Sequence, residues 1–241
     1  MDQTGTPRTY QYLRDLIAER IDQGVYQAND KLPSERELAE DLNTTRLTLR
    51  DALSQLEIEG KVFRMDRRGW FVASERLLFD PVSDKGFMTN VRDQGLEPTT
   101  QLLSCEEEKA TPGLAQALKI KQGAAIYHLQ RRRAINNRPV LIEDIYLDQA
   151  RYPGLAHAKL DGSLSLVLEE IYSAKVKHSQ IQITPVAFNS LHAKSLLVSP
   201  GTPATLITRT SFDTDGKVVE FDKEYWVADV LRIEITSADK F

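Results

Sequence analysis

The sequence predicts an α+β protein of two domains, and three observations carry that prediction. Residues 1–74 hold three helical patterns followed by a short hairpin pattern. Residues 87–241 hold six strand-like runs interrupted by short helical patterns. Between them, residues 75–86 keep no sustained period and include Asp80-Pro81, which reads as a linker. A chain of 241 residues, 41% of them hydrophobic, has enough apolar side chains to build a core in each part.

From Pro7 to Gly24, the residues Tyr10, Leu13, Leu16, Ile17 and Ile21 recur at helical spacing, and Gly24 supplies a stop. Ser34 precedes ERELAEDL with Glu37 three residues on, a capping box in which each side chain satisfies the other residue's backbone N–H. A short second helix follows. Asn43, Thr44 and Thr45 form a polar break and offer an N-cap. After it, Leu49, Ala52, Leu53 and Leu56 make an i, i+3, i+4, i+7 stripe that ends before Gly60, the third helix. Residues 61–64 and 70–73 read as strands joined by MDRRG, with Gly69 free to take the turn geometry.

In the second domain the strand-like runs are TTQLLSCEE, AIYHLQRRRAI, PVLIEDIYL, VKHSQIQITPVAF, PATLITRTSF and KVVEFDKEYWV. The turn signals NNRP at 136–139 and TDGK at 214–217 join adjacent runs as hairpins, so the sheet is expected to be mainly antiparallel.

A formal net charge of −4 excludes a protein that coats nucleic acid by bulk charge. Locally the balance reverses: residues 43–70 carry six Lys/Arg against four Asp/Glu. A short helix, a tight polar turn and a third helix make a helix-turn-helix, in which the start of the third helix faces the major groove. The residues there are Thr45, Arg46, Thr48 and Arg50. Arginine pairs bidentately with guanine or phosphate, and threonine offers a hydroxyl and a methyl group. Arg36 stands where a phosphate contact is natural, and Arg67 and Arg68 beside Gly69 suit the tip of a wing near the minor groove. The expected partner is double-stranded operator DNA. Two-fold symmetric regulators place half-sites about one helical turn apart, so a homodimer on an inverted repeat is expected, with its dimer contacts mainly in the sheet domain.

KLPSERELAEDL, TTRLTLRDAL, IEGKVFR and RRGWFVA, over residues 7–73 or so, resemble the DNA-binding domain of the GntR family of bacterial regulators. The resemblance implies DNA contacts at Arg36, Arg46, Arg50 and Gly69, with Thr48 between the two recognition-helix arginines. It departs at Trp70, where many members have threonine after the wing glycine. Residues 86–235 resemble the ligand-sensing (UTRA) domain of the HutC branch, which shares its fold with chorismate lyase. RDQGLEP, LAQALKIKQG, IYHLQRRRAINNRPVLIEDIYL, RYPGL, DGSLSLVLEEIY, LLVSPGTPATLITRTSFDTDGKVVEF and EYWVADVLRIEI carry that likeness. The GWFV wing and the EYWVADVLRIEI ending are most similar to regulators of phosphonate utilisation.

Arg131 and Arg133 are two apart on a strand and point to one face, and Ser163 opens a helix whose N-terminus favours an anion. Read alone, Arg131 to Arg133 are either a phosphate-like site or a charged strand edge that blocks sheet aggregation. The resemblance implies the former: the arginine pair and Ser163 hold an anionic group, while Glu143 and Glu220 face the ligand. The candidate ligand residues are Arg131, Arg133, Glu143, Ser163, Ser165, Glu220 and Trp226, the last either a ligand platform or core. Arginines that wait for a ligand are not expected to hold the core together. The expected ligand is a small phosphorylated or phosphonate metabolite, and the expected activity is ligand-relieved repression. The alternative is an enzyme of lyase-like fold acting on a small anion, for which no catalytic constellation is visible.

His128, His157, His178 and His192 are too scattered to suggest a metal, and no cofactor is expected. No run of about 18 apolar residues suits a membrane, and MDQTGTPRTY lacks the parts of a signal peptide. The single cysteine, Cys105, permits no internal disulfide and reads as a half-buried strand thiol. A cytoplasmic protein is the expectation.

Overall fold

The computed structural model describes residues 9–83 and 85–235, in two compact units divided between Glu75 and Arg76. In the first unit, α1 (Tyr10–Asp22), α2 (Glu35–Asp41) and α3 (Arg46–Ile58) precede a hairpin of β1 (Val62–Met65) and β2 (Gly69–Val72). Pro7 lies outside the described residues; α1 is capped by Thr9. The capping box of α2 is formed, with Ser34 N–H donating to Glu37 Oε2 at 2.8 Å and Glu37 N–H to Ser34 Oγ at 3.2 Å. The α3 stripe Leu49, Ala52, Leu53 and Leu56 is wholly buried and meets Leu13 and Ile17 of α1 and Leu38 of α2 in one core. An exposed helix pair with this much apolar surface is unstable in water, so packing rather than propensity fixes the three helices together.

The second unit is built on a six-stranded sheet: β4 (Pro98–Lys109), β5 (Ala125–Ile135), β6 (Arg138–Asp148), β7 (His178–Ala187), β8 (Pro203–Phe212) and β9 (Val218–Val227). Its spatial order is β4-β5-β6-β9-β8-β7 and every ladder is antiparallel. Asn136 and Asn137 both take positive φ (48° and 64°) in the β5–β6 turn, a conformation asparagine tolerates and that matches the strand twist. Helices α4 (Phe87–Asp93), α5 (Pro112–Leu118), α6 (Leu164–Tyr172) and α7 (Ser190–Leu196) accompany the sheet. Three buried apolar clusters fill the spaces between these elements and the strands.

One expectation is corrected here and one alternative is set aside. Leu77–Phe79, within the stretch read as linker, is a strand, β3, paired in parallel with β10 (Leu231–Ile233). Three residues are too few to show a period, and Asp80-Pro81 ends the run at once. Arg131 to Arg133 are not a strand edge either: β5 lies between β4 and β6. Charge on an interior strand blocks no aggregation, so that alternative falls.

Candidate DNA-binding surface and ligand site

The first turn of α3 carries the recognition-helix candidates. The Thr45 hydroxyl accepts the Thr48 N–H at 3.2 Å and lies 2.8 Å from the Thr48 hydroxyl. Arg46 and Arg50 are exposed, and so is Leu47, at 70% of its surface. Glu35, the first residue of α2, organises this surface. Its Oε2 accepts from Arg50 Nη2 at 2.9 Å and lies 3.8 Å from Arg46 Nη2, while its Oε1 accepts the Trp70 indole N–H at 3.1 Å. Burial raises the pKa of the Glu35 carboxyl, but the bonds from Arg50 and Trp70 outweigh it and hold the group below the usual carboxylate value.

Arg36 is exposed on α2, and Arg67 and Arg68 are exposed in the hairpin loop, where Arg67 (φ 59°) and Gly69 (φ 103°) make the turn. Lys31, Arg36, Arg46, Arg64, Arg67 and Arg68 all line one cleft of about 580 Å³ between the hairpin and the starts of α2 and α3. The sequence candidates are therefore brought to one surface. Trp70 is only 4% exposed and belongs to the core, with Arg64 5.9 Å from its ring centroid. The position that departs from the family pattern is thus a packing residue beneath the wing.

In the second unit, strand alternation puts Arg131, Arg133, Glu143, Arg209, Glu220, Asp222 and Glu224 on one face of the sheet. Arg131 stands beside Glu143, and Glu143 beside Glu224; one pair further along, Asp222 stands beside Arg209. Both candidate arginines are buried, Arg131 to 3% exposure. Glu143 bridges them, receiving Arg131 at 2.8 and 2.9 Å and Arg133 at 2.8 Å. Burial raises the Glu143 pKa, but the two guanidinium charges outweigh it and hold the group ionised. The expectation that these arginines play no part in the core is corrected: a buried carboxylate depends on them. Arg131 Nη1 also donates to the Gly162 carbonyl at 3.2 Å. That bond ties the pair to the start of α6, where Ser163 caps the helix through the Leu166 N–H at 3.4 Å and Ser165 is exposed.

Arg209, which the sequence reading passed over, reaches Glu224 at 3.4 Å and the Pro81 carbonyl at 3.0 Å. Trp226 is fully buried among Phe79 and Phe87 and gives its indole N–H to Glu224 at 3.0 Å. It sits in the core, adjoining the charged row. Glu220 and Asp222 form no hydrogen bond or ion pair among the described residues, and Asp222 Oδ1 and Arg133 Nε are buried without a partner. Burial pushes the Glu220 carboxyl up to about 7 and the Asp222 carboxyl well above its usual range. A second cleft, of about 430 Å³, opens between Thr100 to Leu102 of β4 and Lys159 to Asp161. Thr100 and Leu102 pair in register with Arg133 and Arg131. Glu35, Arg209, Asp222 and Glu224 were missed, although EFDKE shows three acids at a spacing of two on a predicted strand, which was a legible signal.

A helix-turn-helix with a basic wing, joined in one chain to a sheet domain with a buried charged site, defines a DNA-binding transcription regulator of the one-component class. The chain belongs to the gntR family of bacterial regulatory proteins, matching that family over residues 9–72 and the UTRA domain over residues 93–232. It is 31% identical over 219 residues to the HTH-type transcriptional regulator YihL of Escherichia coli (strain K12), spanning 90% of this chain and 93% of that protein. It is 28% identical over 227 residues to a probable fructoselysine utilization operon transcriptional repressor of Shigella flexneri, spanning 94% of this chain and 93% of the relative. The crystal structure of PhnF from Mycobacterium smegmatis superposes with a TM-score of 0.68 at 25% identity, covering 95% of this chain and 100% of that one. Family membership sets the enzyme alternative aside, and no helix among the described residues is long and apolar enough to cross a membrane.

Proposed function

We propose that this regulator is a homodimeric repressor that binds an inverted-repeat operator in the cytoplasm and is released by a small anionic metabolite. The observation that carries the DNA half is the convergence of Arg36, Arg46, Arg67 and Arg68 on one exposed cleft at the start of α3. In this reading Arg46, Thr48 and Arg50 meet base edges or phosphate in the major groove, Thr45 sets the first turn of the helix, Arg36 holds phosphate, and Arg67, Arg68 and Gly69 approach the minor groove. The ligand half rests on the buried Arg131–Arg133 pair beside the Ser163 cap. Ser165 lies on the same first turn, and Glu143 and Glu220 stand beside the pair for the ligand's polar groups. A relative named as a repressor of a fructoselysine utilization operon supports both repression and a sugar-derived ligand.

Duplexes selected from a random pool with the full-length protein are expected to contain an inverted repeat and to bind two chains. Binding should weaken when the true phosphorylated or phosphonate effector is added, and Arg133→Gln should abolish that release while sparing operator affinity. Selection of sites without two-fold symmetry, or saturation at one chain per duplex, refutes the dimeric reading.

A further inference from the structure

We propose that Asp222, with Glu220 beside it on β9, forms a cation subsite, and that the ligand is a zwitterion carrying an ammonium group as well as the anion held at Arg131 and Arg133. The inference rests on the anion site proposed above and names what the other end of the same ligand must be.

The sheet face holds four buried carboxylates and three arginines. Glu143 is occupied by Arg131 and Arg133, and Glu224 by Arg209 and the Trp226 indole. The remaining two acids, Glu220 and Asp222, are both buried and neither is hydrogen-bonded or ion-paired among the described residues. Asp222 Oδ1 is sealed from solvent with no donor to meet it. An apolar residue there would cost nothing, whereas a buried acceptor without a donor is a standing penalty that calls for a reason. Arg209, opposite Asp222 in register, is committed to Glu224 and to the Pro81 carbonyl.

The second orphan lies at the other end of the row. Arg133 Nε is a buried donor without an acceptor, on β5. Strands β5 and β9 flank β6, and Arg133 is level with Trp226, four residues along β9 from Asp222, so the two backbones stand roughly 16 Å apart; the long Arg133 side chain closes part of that gap by reaching Glu143 on β6 at 2.8 Å. One small molecule with an anionic group at one end and an ammonium at the other would satisfy the orphan donor and the orphan acceptor together. A polyol phosphate would donate a hydroxyl to the orphan acceptor as well, but would bring no positive charge to offset the buried carboxylates. The raised pKa values of Glu220 and Asp222 fit this arrangement, because a buried carboxyl that holds its proton for want of a counter-charge gives it up when a cation arrives.

The test is calorimetry at pH 7.5 on the full-length protein with two matched pairs, glucosamine 6-phosphate against glucose 6-phosphate and 2-aminoethylphosphonate against ethylphosphonate. In at least one pair the amine member should bind tenfold or more tightly. In Asp222→Asn that preference should fall to about onefold, with the affinity of the deaminated member unchanged. Glu220→Gln should reduce the same preference and serves as the readout should Asp222→Asn fail to fold. Equal binding within both pairs, no binding by either amine, or a preference that survives both substitutions overturns the cation subsite. Arg133→Gln separates this failure from failure of the anion site. If only the cation subsite is wrong, the substitution still weakens every anion that binds, by a similar factor within each pair. If the anion site is wrong as well, it changes nothing.

Discussion

The two units use arginine in opposite ways. On the helix-turn-helix surface, Arg46 and Arg50 are exposed and share Glu35, a contact that solvent screens and that DNA phosphates can replace at little cost. In the sheet unit, Arg131 and Arg133 are buried and share Glu143, and nothing but another charge can take its place. Both arrangements hang two guanidinium groups on one carboxylate. The exposed one holds side chains near their working positions without holding the domain together. The buried one positions a site and is part of what keeps the sheet unit folded. Exposure, not the pairing itself, decides which arginines are free to change partner.

The sharpest way to break this comparison is the same surgery at both hubs. Glu143→Gln leaves two buried cations without their counter-charge, and the loss should be about 3–5 kcal/mol of unfolding free energy in denaturant titration. A loss under about 1 kcal/mol would show that the arginines find other partners, and the contrast would collapse. Next in size is the loss of the recognition contact. Arg50→Ala should weaken binding to a selected operator by on the order of tenfold or more, with a smaller loss on scrambled duplex if Arg50 reads a base. Its unfolding free energy should fall by no more than about 1 kcal/mol, the worth of the Glu35 contact. Equal losses on both duplexes would reduce Arg50 to a phosphate contact.

Glu35→Gln comes third. It keeps an acceptor for the Trp70 indole but loses the charge that holds Arg50, so stability should fall by only about 1 kcal/mol. The larger change should be in the ratio of operator to scrambled-DNA affinity, which falls as Arg50 loses its fixed position. A stability loss matching that of Glu143→Gln would show that the exposed hub is as structural as the buried one.

The two hubs were not equally legible. In the first unit, caps, turn residues and the 3.6-residue stripe are local signals, so the three helices, the hairpin and the grouped cations could be read within a few residues of where they act. Trp70 marked a departure in the sequence, yet its role as Glu35's partner needed the fold, because the two lie 35 residues apart. In the second unit, alternation located the six long strands and the Asn-Asn turn, but strand order is not written in any one strand. That β9 inserts between β6 and β8 is what brings Asp222 and Glu224 to the arginine row. The arginines could be read as a strand edge because nothing within β5 shows that β4 and β6 flank it on both sides. Strand β3 escaped because its pairing partner, β10, lies at the far end of the chain. The scattered histidines conceal a similar case: His128 and His192, distant in sequence, both approach Asp144.

That cluster gives the smallest predicted effect, and it lies on the sheet face opposite the arginines. His128 Nε2 is 3.0 Å from Asp144 Oδ1 and its Nδ1 is 2.9 Å from Glu108 Oε1, with its ring stacked on Tyr146 at 4.5 Å. His192 approaches the other Asp144 oxygen at 3.6 Å, and Gln130 donates to Asp144 at 3.0 Å. The hydrogen bond to Asp144 raises the His128 pKa above its ordinary value, while burial lowers that of His192 and favours its neutral form. A histidine with a raised folded-state pKa contributes stability that is fully present below about 6.5, the unfolded value, and is lost as pH rises through the folded value. Asp144 works in the other sense: burial raises its pKa, but the bonds from His128 and Gln130 prevail and lower it, so its share is lost only as the solution becomes strongly acidic. The pair is therefore worth most between those limits. His128→Gln should cost about 1 kcal/mol at pH 6 and clearly less at pH 9, measured by urea unfolding at both. A cost that stays constant, or grows, between the two would mean that His128 acts through its stacking on Tyr146 and not through its charge, and the sheet would then carry an electrostatic cluster on one face only.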